Sequence, residues 1–340
     1  MGDEMLLLGA GASVEAGIPD AKQMAREIVR LFNGDSSLEK EAEVLNFVND
    51  RLTAHAKKIH PFIDVDIEAL YNAILSLSER GKLEISSFVQ SWVPDLIKIK
   101  DANTLFANIM LKMERMLEEL TLIKDERKVD YLKPILNLAK SGDGLFIATL
   151  NYDNGIELLS KVNGVACETG IESWTREGFF NFPNKGIALG KLHGSNYWFW
   201  TNGTSTYGER LSHRQVRFKL SHDQSLPKIL QVETPMVIFG QRNKLTAEGP
   251  FLDLLKEFDE QLQRTNTLTA IGYSFRDSHI NFYISKFLNQ YRGKIKIVSP
   301  DVETSDVDYV QDLREFRKTR SDQIDMIEKN AGDALKTLYP

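Results

Sequence analysis

Apolar positions along this chain follow two rhythms, and their order predicts the architecture. Short, mostly apolar runs recur at Met5–Leu8, Leu145–Thr149, Ile187–Leu192, Met236–Phe239, Thr267–Ile271 and Lys294–Val298, most of them followed by Gly, Asn or Asp. Runs this short and apolar read as strands. Elsewhere the spacing changes to three and four. Residues 20–32 place Met24, Ile28, Leu31 and Phe32 on one side of a helix that stops at Asn33-Gly34-Asp35-Ser36. Leu38, Val44, Leu45, Val48 and Leu52 form a second helical run. Leu70, Ile74 and Leu77 form a third, and Ile109, Met113, Met116 and Leu120 a fourth. Helical patterns also separate the later strands, at Phe251–Leu262 and Asp277–Leu288.

Strands that alternate with helices predict an α/β fold: a Rossmann-like, mostly parallel sheet with helices on both faces, plus an inserted helical subdomain. The expected layout is a single domain over 1–340. Its nucleotide-binding core covers about 1–30, 145–195 and 235–301, with a helical insertion over about 37–140. Residues 195–235, with Tyr197, Trp198, Phe199, Trp200 and Tyr207 in no clear period, read as a loop-rich module. A helical tail is expected over about 305–340.

Composition narrows the class. The chain has 340 residues, 42% hydrophobic and 26% charged, as in a water-soluble globular protein. Its net charge of −6 and the lack of a dense Lys/Arg run argue against direct nucleic-acid binding. Lys185 and Lys191 leave room for a local basic patch, with a solvated surface as the plainer reading. Cys167 is the single cysteine, so neither an internal disulfide nor a four-cysteine zinc site can form. Asp3 and Glu4 stand where a secretion leader would be basic, and no stretch reaches the roughly 20 apolar residues of a membrane span. A cytoplasmic protein without membrane attachment is expected.

The candidate chemistry lies just beyond the predicted strands, where parallel-sheet proteins bind ligands. Gly9-Ala-Gly-Ala-Ser13 follows the first strand. Gly9 permits a tight turn, and Gly11 lets bare backbone approach a pyrophosphate, whose charge is met by N–H groups and the positive end of the following helix. Packing alone also produces such turns. Val14 occupies the third glycine of the dehydrogenase fingerprint, which disfavours hydride transfer. Asn151 and Asp153 follow the second run; His193 and Ser195 follow the third; Gly272-Tyr-Ser-Phe275 follows a later one. Asn151 could be only a turn residue and His193 only a satisfied buried histidine. The glycine after His193 leaves space beside the imidazole and favours function. His55, His60, His213, His222 and His279 lack such a setting, and no pair has metal-ligand spacing.

In order along the chain, Gly9-Ala-Gly-Ala-Ser13 with Ala16-Gly-Ile-Pro-Asp20, Thr149-Leu-Asn-Tyr-Asp153, Leu192-His-Gly194 and Gly272-Tyr-Ser-Phe275 resemble the signatures of the sirtuin family. The resemblance implies that Gly9, Ala10, Gly11 and Ser13 hold the phosphates of NAD. It places Asn151 and Asp153 around the nicotinamide ribose and carboxamide, with His193 as general base. Gly272 and Ser274 would contact ribose and phosphate, and Asp301 would lie at the adenosine end. Asp20, Thr149, Tyr152 and Tyr273 complete the implied cofactor-binding set. Departures point to a branch. Ala21 and Lys22 replace the Phe-Arg of protein deacylases, and one cysteine cannot build their zinc module, so no zinc is expected. Tyr152 and the Gly-Tyr-Ser-Phe form resemble bacterial NAD-hydrolysing effectors of antiviral defence. That branch implies NAD as substrate with no further cofactor, acting alone or beside a partner such as a HerA-type ATPase or an Argonaute-like protein; a homo-oligomer is expected as one means of restraining NAD cleavage. Protein deacylation, ADP-ribosyl transfer and non-catalytic sensing of NAD or ADP-ribose are the alternatives.

Overall fold

A computed structural model describes residues 3–59, 64–78, 102–141, 144–201, 215–218, 234–237, 249–300, 315 and 318–340. The chain divides into two compact units, one of Met1–Ile18, Thr121–Ile238 and Lys244–Pro340, the other of Pro19–Leu120 and Phe239–Asn243.

The second unit is helical among its described residues: α1 (Ala21–Gly34), α2 (Glu39–Ile59), α3 (Ile67–Ser78) and α4 (Ala102–Leu120). Met24, Ile28, Phe32, Leu45, Val48, Leu70, Ile74, Ile109 and Met113 are all buried, as the three-four spacing predicts. Asp20 starts α1 with a capping box: its carboxylate accepts from Gln23 N at 2.8 Å, and the Gln23 side chain accepts from Asp20 N. Among these apolar faces, Glu114 accepts a 2.6 Å hydrogen bond from the Tyr71 hydroxyl, and burial raises its carboxyl pKa.

The first unit is built on a parallel sheet. Its strands are β1 (Glu4–Leu8), β2 (Leu145–Thr149), β3 (Cys167–Glu168), β4 (Ile187–Lys191), β8 (Thr267–Ile271), β9 (Lys294–Val298) and β10 (Ile324–Ile327), in the order β10-β9-β8-β1-β2-β4-β3. Every pairing is parallel. Helices α5 (Ile135–Ser141), α6 (Gly155–Val162), α7 (Ile171–Glu177), α8 (Phe251–Gln263), α9 (Ser278–Asn289) and α10 (Ala331–Leu338) flank it. On one face Met5, Leu7, Ala148 and Ala270 pack with Phe258 of α8 and Ile284 and Phe287 of α9. On the other, Thr269 meets the Tyr339 hydroxyl just past α10, at 3.2 Å. Burial on both faces is why the central strands read as continuous apolar runs. The α/β class expected from sequence is the class observed.

Three elements differ from expectation. The run at Met236–Phe239 was assigned to the main sheet. Its described part belongs to β7 (Thr234–Val237), which pairs antiparallel with β5 (Gly194–Thr201), as does β6 (Gln215–Phe218), in a separate three-stranded sheet. Only Leu192 and His193 separate β4 from β5, too few for a parallel crossover, so β5 must leave the sheet. The described residues of the segment that reads as loop-rich are therefore strand. In the tail expected to be helical, Ile324–Ile327 adds an edge strand beside β9. Four residues carry no decisive period, and the neighbouring strand settles their conformation. Finally, the glycine turn after β1 enters a 3-10 helix, Ala10–Ala16, rather than the predicted helix directly. Gly17, at φ 84°, ends it, and Pro19 disfavours helical backbone at Ile18.

Candidate functional site

The carboxyl ends of β8, β1, β2 and β4 lie side by side, and four of the sequence-predicted segments leave the sheet there. Leu8 is level with Ile271 on one flank and Thr149 on the other, and Thr149 is level with Lys191. The strand order reverses around β1, which makes this edge the switch point where such sheets take ligands.

Gly9, Gly11 and Gly272 form the corner between β1 and β8. Gly9 N donates to Ile271 O at 2.9 Å, and Gly11 N to Gly272 O at 3.0 Å. A Cβ on Gly9 would stand 2.5 Å from Gly272 O, and one on Gly272, whose φ is 62°, would stand 2.2 Å from Ala12 N. Mutual backbone contact therefore requires glycine at these three positions. Ala10 and Gly11 remain exposed at the turn.

Beside that corner, Ser13, Asn151 and Asp153 are joined. Asn151 Nδ2 donates to Gly9 O at 2.8 Å and to Ser13 Oγ at 2.9 Å. Because a backbone carbonyl only accepts, the amide orientation is fixed and Oδ1 is the remaining acceptor. Ser13 Oγ donates to Asp153 Oδ2 at 2.6 Å, and Asp153 Oδ1 accepts from Gly155 N at 2.8 Å. Thr149 Oγ1 accepts from Asn151 N at 3.0 Å and so shapes the turn. A crevice of about 10 Å³, room for about one water molecule, lies beside this network, lined by Leu8, Ser13, Thr149, Asn151, Asp153, Ile156, Glu157 and Lys191. Tyr131 closes its neighbourhood, donating to Ala12 O at 2.6 Å; burial first, then the Asp153 charge, pushes its phenol pKa up.

His193 leaves the sheet next to Asn151. Leu192 N donates to Thr149 O at 2.9 Å and Asn196 N to Tyr152 O at 3.0 Å, so residues 149–152 and 192–196 run together past the strand ends. The imidazole is buried and its Nε2 lies 2.9 Å from Asp277 Oδ2. It does not line the crevice. Gly194 follows at φ 92°, so backbone conformation is the reason for that glycine, where sequence suggested room for the ring.

The other expected residues divide. Gly272 joins the corner, and Ser274 is exposed beyond it. Tyr273 turns inward: its hydroxyl donates to Asn281 Oδ1 at 2.8 Å and to Asp277 O at 3.1 Å, which commits it to the loop rather than to a ligand. Asp20 caps α1 in the other unit. Asp301 lies outside the described residues, as do His60, His213 and His222. Lys191, a candidate for a basic patch, is fully buried, with Nζ 2.8 Å from Glu157 Oε1 and bonded to Asp153 O. A charge held this way braces the Asn151–Asp153 turn from beneath. Ser195 is also fully buried.

Sequence reasoning missed Asp277, Asn281, Lys191 and Glu157 as parts of this region. Asp277 carried one signal, an acidic residue just before an apolar-periodic helix. The others carried none. Among the described residues no group of three or more His, Cys, Asp or Glu side chains is placed to hold a metal ion, and no helix is long and apolar enough to cross a membrane.

No protein-family model and no curated protein matches this sequence. Among solved structures, the chain is similar to a Sir2 homologue mutant in complex with ADP-ribose, at 12% identity and a TM-score of 0.46 over 99% of this chain and 90% of that one. It is similar to a sirtuin structure addressing substrate affinity, at 12% identity and 0.42 over 98% and 92%. A Sir2 complex with an inhibitor, 2'-O-acetyl-ADP-ribose and a deacetylated p53 peptide gives 12% and 0.40 over 98% and 91%.

Proposed function

We propose that this chain is an NAD+ glycohydrolase that cleaves the bond between nicotinamide and ribose, releasing nicotinamide and ADP-ribose. One observation carries the reading: Ser13, Asn151 and Asp153 form a single hydrogen-bonded network beside the glycine corner, with His193 on the adjoining strand end. The motif resemblance to sirtuins supplies the substrate.

Nicotinamide in NAD+ is already a cation, so the glycosidic bond breaks without prior protonation and its electron pair leaves with the neutral base. The site must orient the ribose, accept the departing ring and position water. In this reading the exposed turn at Ala10 and Gly11 faces the diphosphate, with Gly272 and Ser274 toward ribose and phosphate and Asp301 toward adenosine. Asp153 receives the carboxamide. Asn151 Oδ1 orients the water or a ribose hydroxyl. Water forms the new bond to C1', and His193 takes its proton. The role in antiphage defence belongs to the same proposal and rests on the motif resemblance, as does pairing with a HerA-type ATPase or Argonaute-like partner; assembly as a homo-oligomer is proposed as one means of restraining that cleavage.

The test is incubation with NAD+ and identification of products. Asn151→Ala and His193→Ala should each lower turnover at least ~100-fold while the fold persists. Near-normal hydrolysis by both variants would remove the assignment. Nicotinamide release that appears only with an acylated peptide would favour transfer to protein instead.

A further inference from the structure

We propose that Asp277 is the positioning residue of His193, holding the imidazole for turnover with its proton on Nε2. The catalytic half of this statement rests on the NAD-cleavage reading; the tautomer half stands on geometry.

Three observations lead to it. The first is the pair itself. Asp277 Oδ2 lies 2.9 Å from His193 Nε2, with side chains only 5% and 8% exposed. An ionised carboxylate accepts and cannot donate, so the proton in this bond belongs to Nε2. Out of water, such a bond has little competition from solvent.

The second is the division of labour between the two carboxylate oxygens. Oδ1 accepts from His279 N at 3.0 Å and Ile280 N at 3.4 Å and caps α9. Capping needs one acceptor, which Ser, Thr or Asn supplies as well. The second oxygen is not needed for the helix, and it is the one on the imidazole.

The third is how firmly Asp277 is held. Its carbonyl accepts from the Tyr273 hydroxyl at 3.1 Å. Asn281 accepts from the same hydroxyl at 2.8 Å and donates to Phe275 O at 2.7 Å. Phe275 sits at φ 57°, a left-handed conformation that is strained for a bulky residue and persists where its surroundings impose it. The parent strands β8 and β4 have β1 and β2 between them, about 14 Å at ~4.8 Å per neighbour. A loop built to reach that far and end on an imidazole sets the ring's orientation.

The experiment compares wild type with Asp277→Asn, which preserves the helix cap. Protein labelled with 15N-histidine is examined by long-range 1H–15N correlation, with the His193 signals identified by their loss in His193→Ala. Wild-type His193 should show the Nε2–H form, and Asp277→Asn should convert it to a mixture or to the other tautomer. The variant's kcat for NAD+ should fall about 10–100-fold, the usual effect of losing a histidine's orienting partner, with KM changed less than about twofold. A wild-type His193 protonated on Nδ1 overturns the proposal, and that measurement needs no variant to fold. An unchanged spectrum in Asp277→Asn does the same. A converted tautomer with unchanged kcat overturns the catalytic half. A wild type that releases no nicotinamide, yet shows the tautomer shift, rejects the NAD-cleavage reading and upholds the positioning of His193 by Asp277.

Discussion

Two polar clusters stand at the carboxyl edge of the sheet, and they are held together by different means. The Ser13–Asn151–Asp153 cluster joins segments that follow neighbouring strands, so ladder register does most to bring them close: Leu8 and Thr149 are paired, Asn151 bonds Gly9 just past them, and the following 3-10 turn carries Ser13 onto Asn151. The His193–Asp277 pair joins segments whose strands are not neighbours. Register cannot make that contact. It depends on a loop with a left-handed phenylalanine, pinned by Asn281. The comparison separates what sheet pairing supplies from what a buried loop must supply.

The widest effect should come from a residue that adjoins both clusters without belonging to either. Gly272 packs against Gly11 and Ala12 on one side and opens the loop to Asp277 on the other. Gly272→Ala would place a Cβ against backbone at 2.2 Å with φ at 62°, where nothing flexible can give way. We expect a loss of at least about 4 kcal/mol in urea unfolding and loss of NAD+ cleavage. A variant with a wild-type midpoint would show that the corner is not rigid.

Next in size is a change confined to the second cluster. Asn281→Ala removes the bonds to the Tyr273 hydroxyl and Phe275 O, both buried, and should cost about 2–3 kcal/mol. Turnover should fall with it, because the loop carrying Asp277 loses its anchor. The His193 15N signals should broaden or shift while binding of ADP-ribose, followed by calorimetry, is retained.

The smallest expected change in stability belongs to the first cluster. Ser13→Ala removes one hydroxyl between Asn151 and Asp153 and should cost about 1–2 kcal/mol, since sheet register still holds the neighbours. Its His193 spectrum should match wild type. If Ser13→Ala disturbed His193 as much as Asn281→Ala does, the two clusters would be one unit and the distinction drawn above would fall.

Cys167 offers an independent check on the packing behind the crevice. Burial, with help from the Glu157 charge, pushes its thiol pKa up to about 12, so it stays protonated at neutral pH. Alkylation by iodoacetamide should be slow in the native protein and rapid in urea.

The main sheet was readable because its strands carry their own evidence. Met5–Leu8, Leu145–Thr149 and Thr267–Ile271 are made of apolar residues and threonine, as burial on both faces favours, and each ends in a polar or glycine turn. From that alone, Gly9, Asn151, His193 and Gly272 could be placed at one edge, and the structure places them there. The reasons assigned to particular glycines were less secure. Gly9 and Gly11 are explained by Gly272, more than 250 positions away, and Gly194 by its own φ of 92°. The antiparallel sheet of β5, β6 and β7 escaped notice because its partners, not its periodicity, define it.

Local pattern therefore determined the class of fold, the strand ends and which residue types stand beyond them, since periodicity and turn chemistry act over a few neighbours. Tertiary structure alone decided which polar atoms meet. Lys191 found Glu157, Tyr273 turned from the edge into the core, and an aspartate that looked like a helix cap put its second oxygen on His193. Such contacts depend on ångström-scale placement of side chains from distant segments, and nothing in the spacing of one segment encodes the position of another.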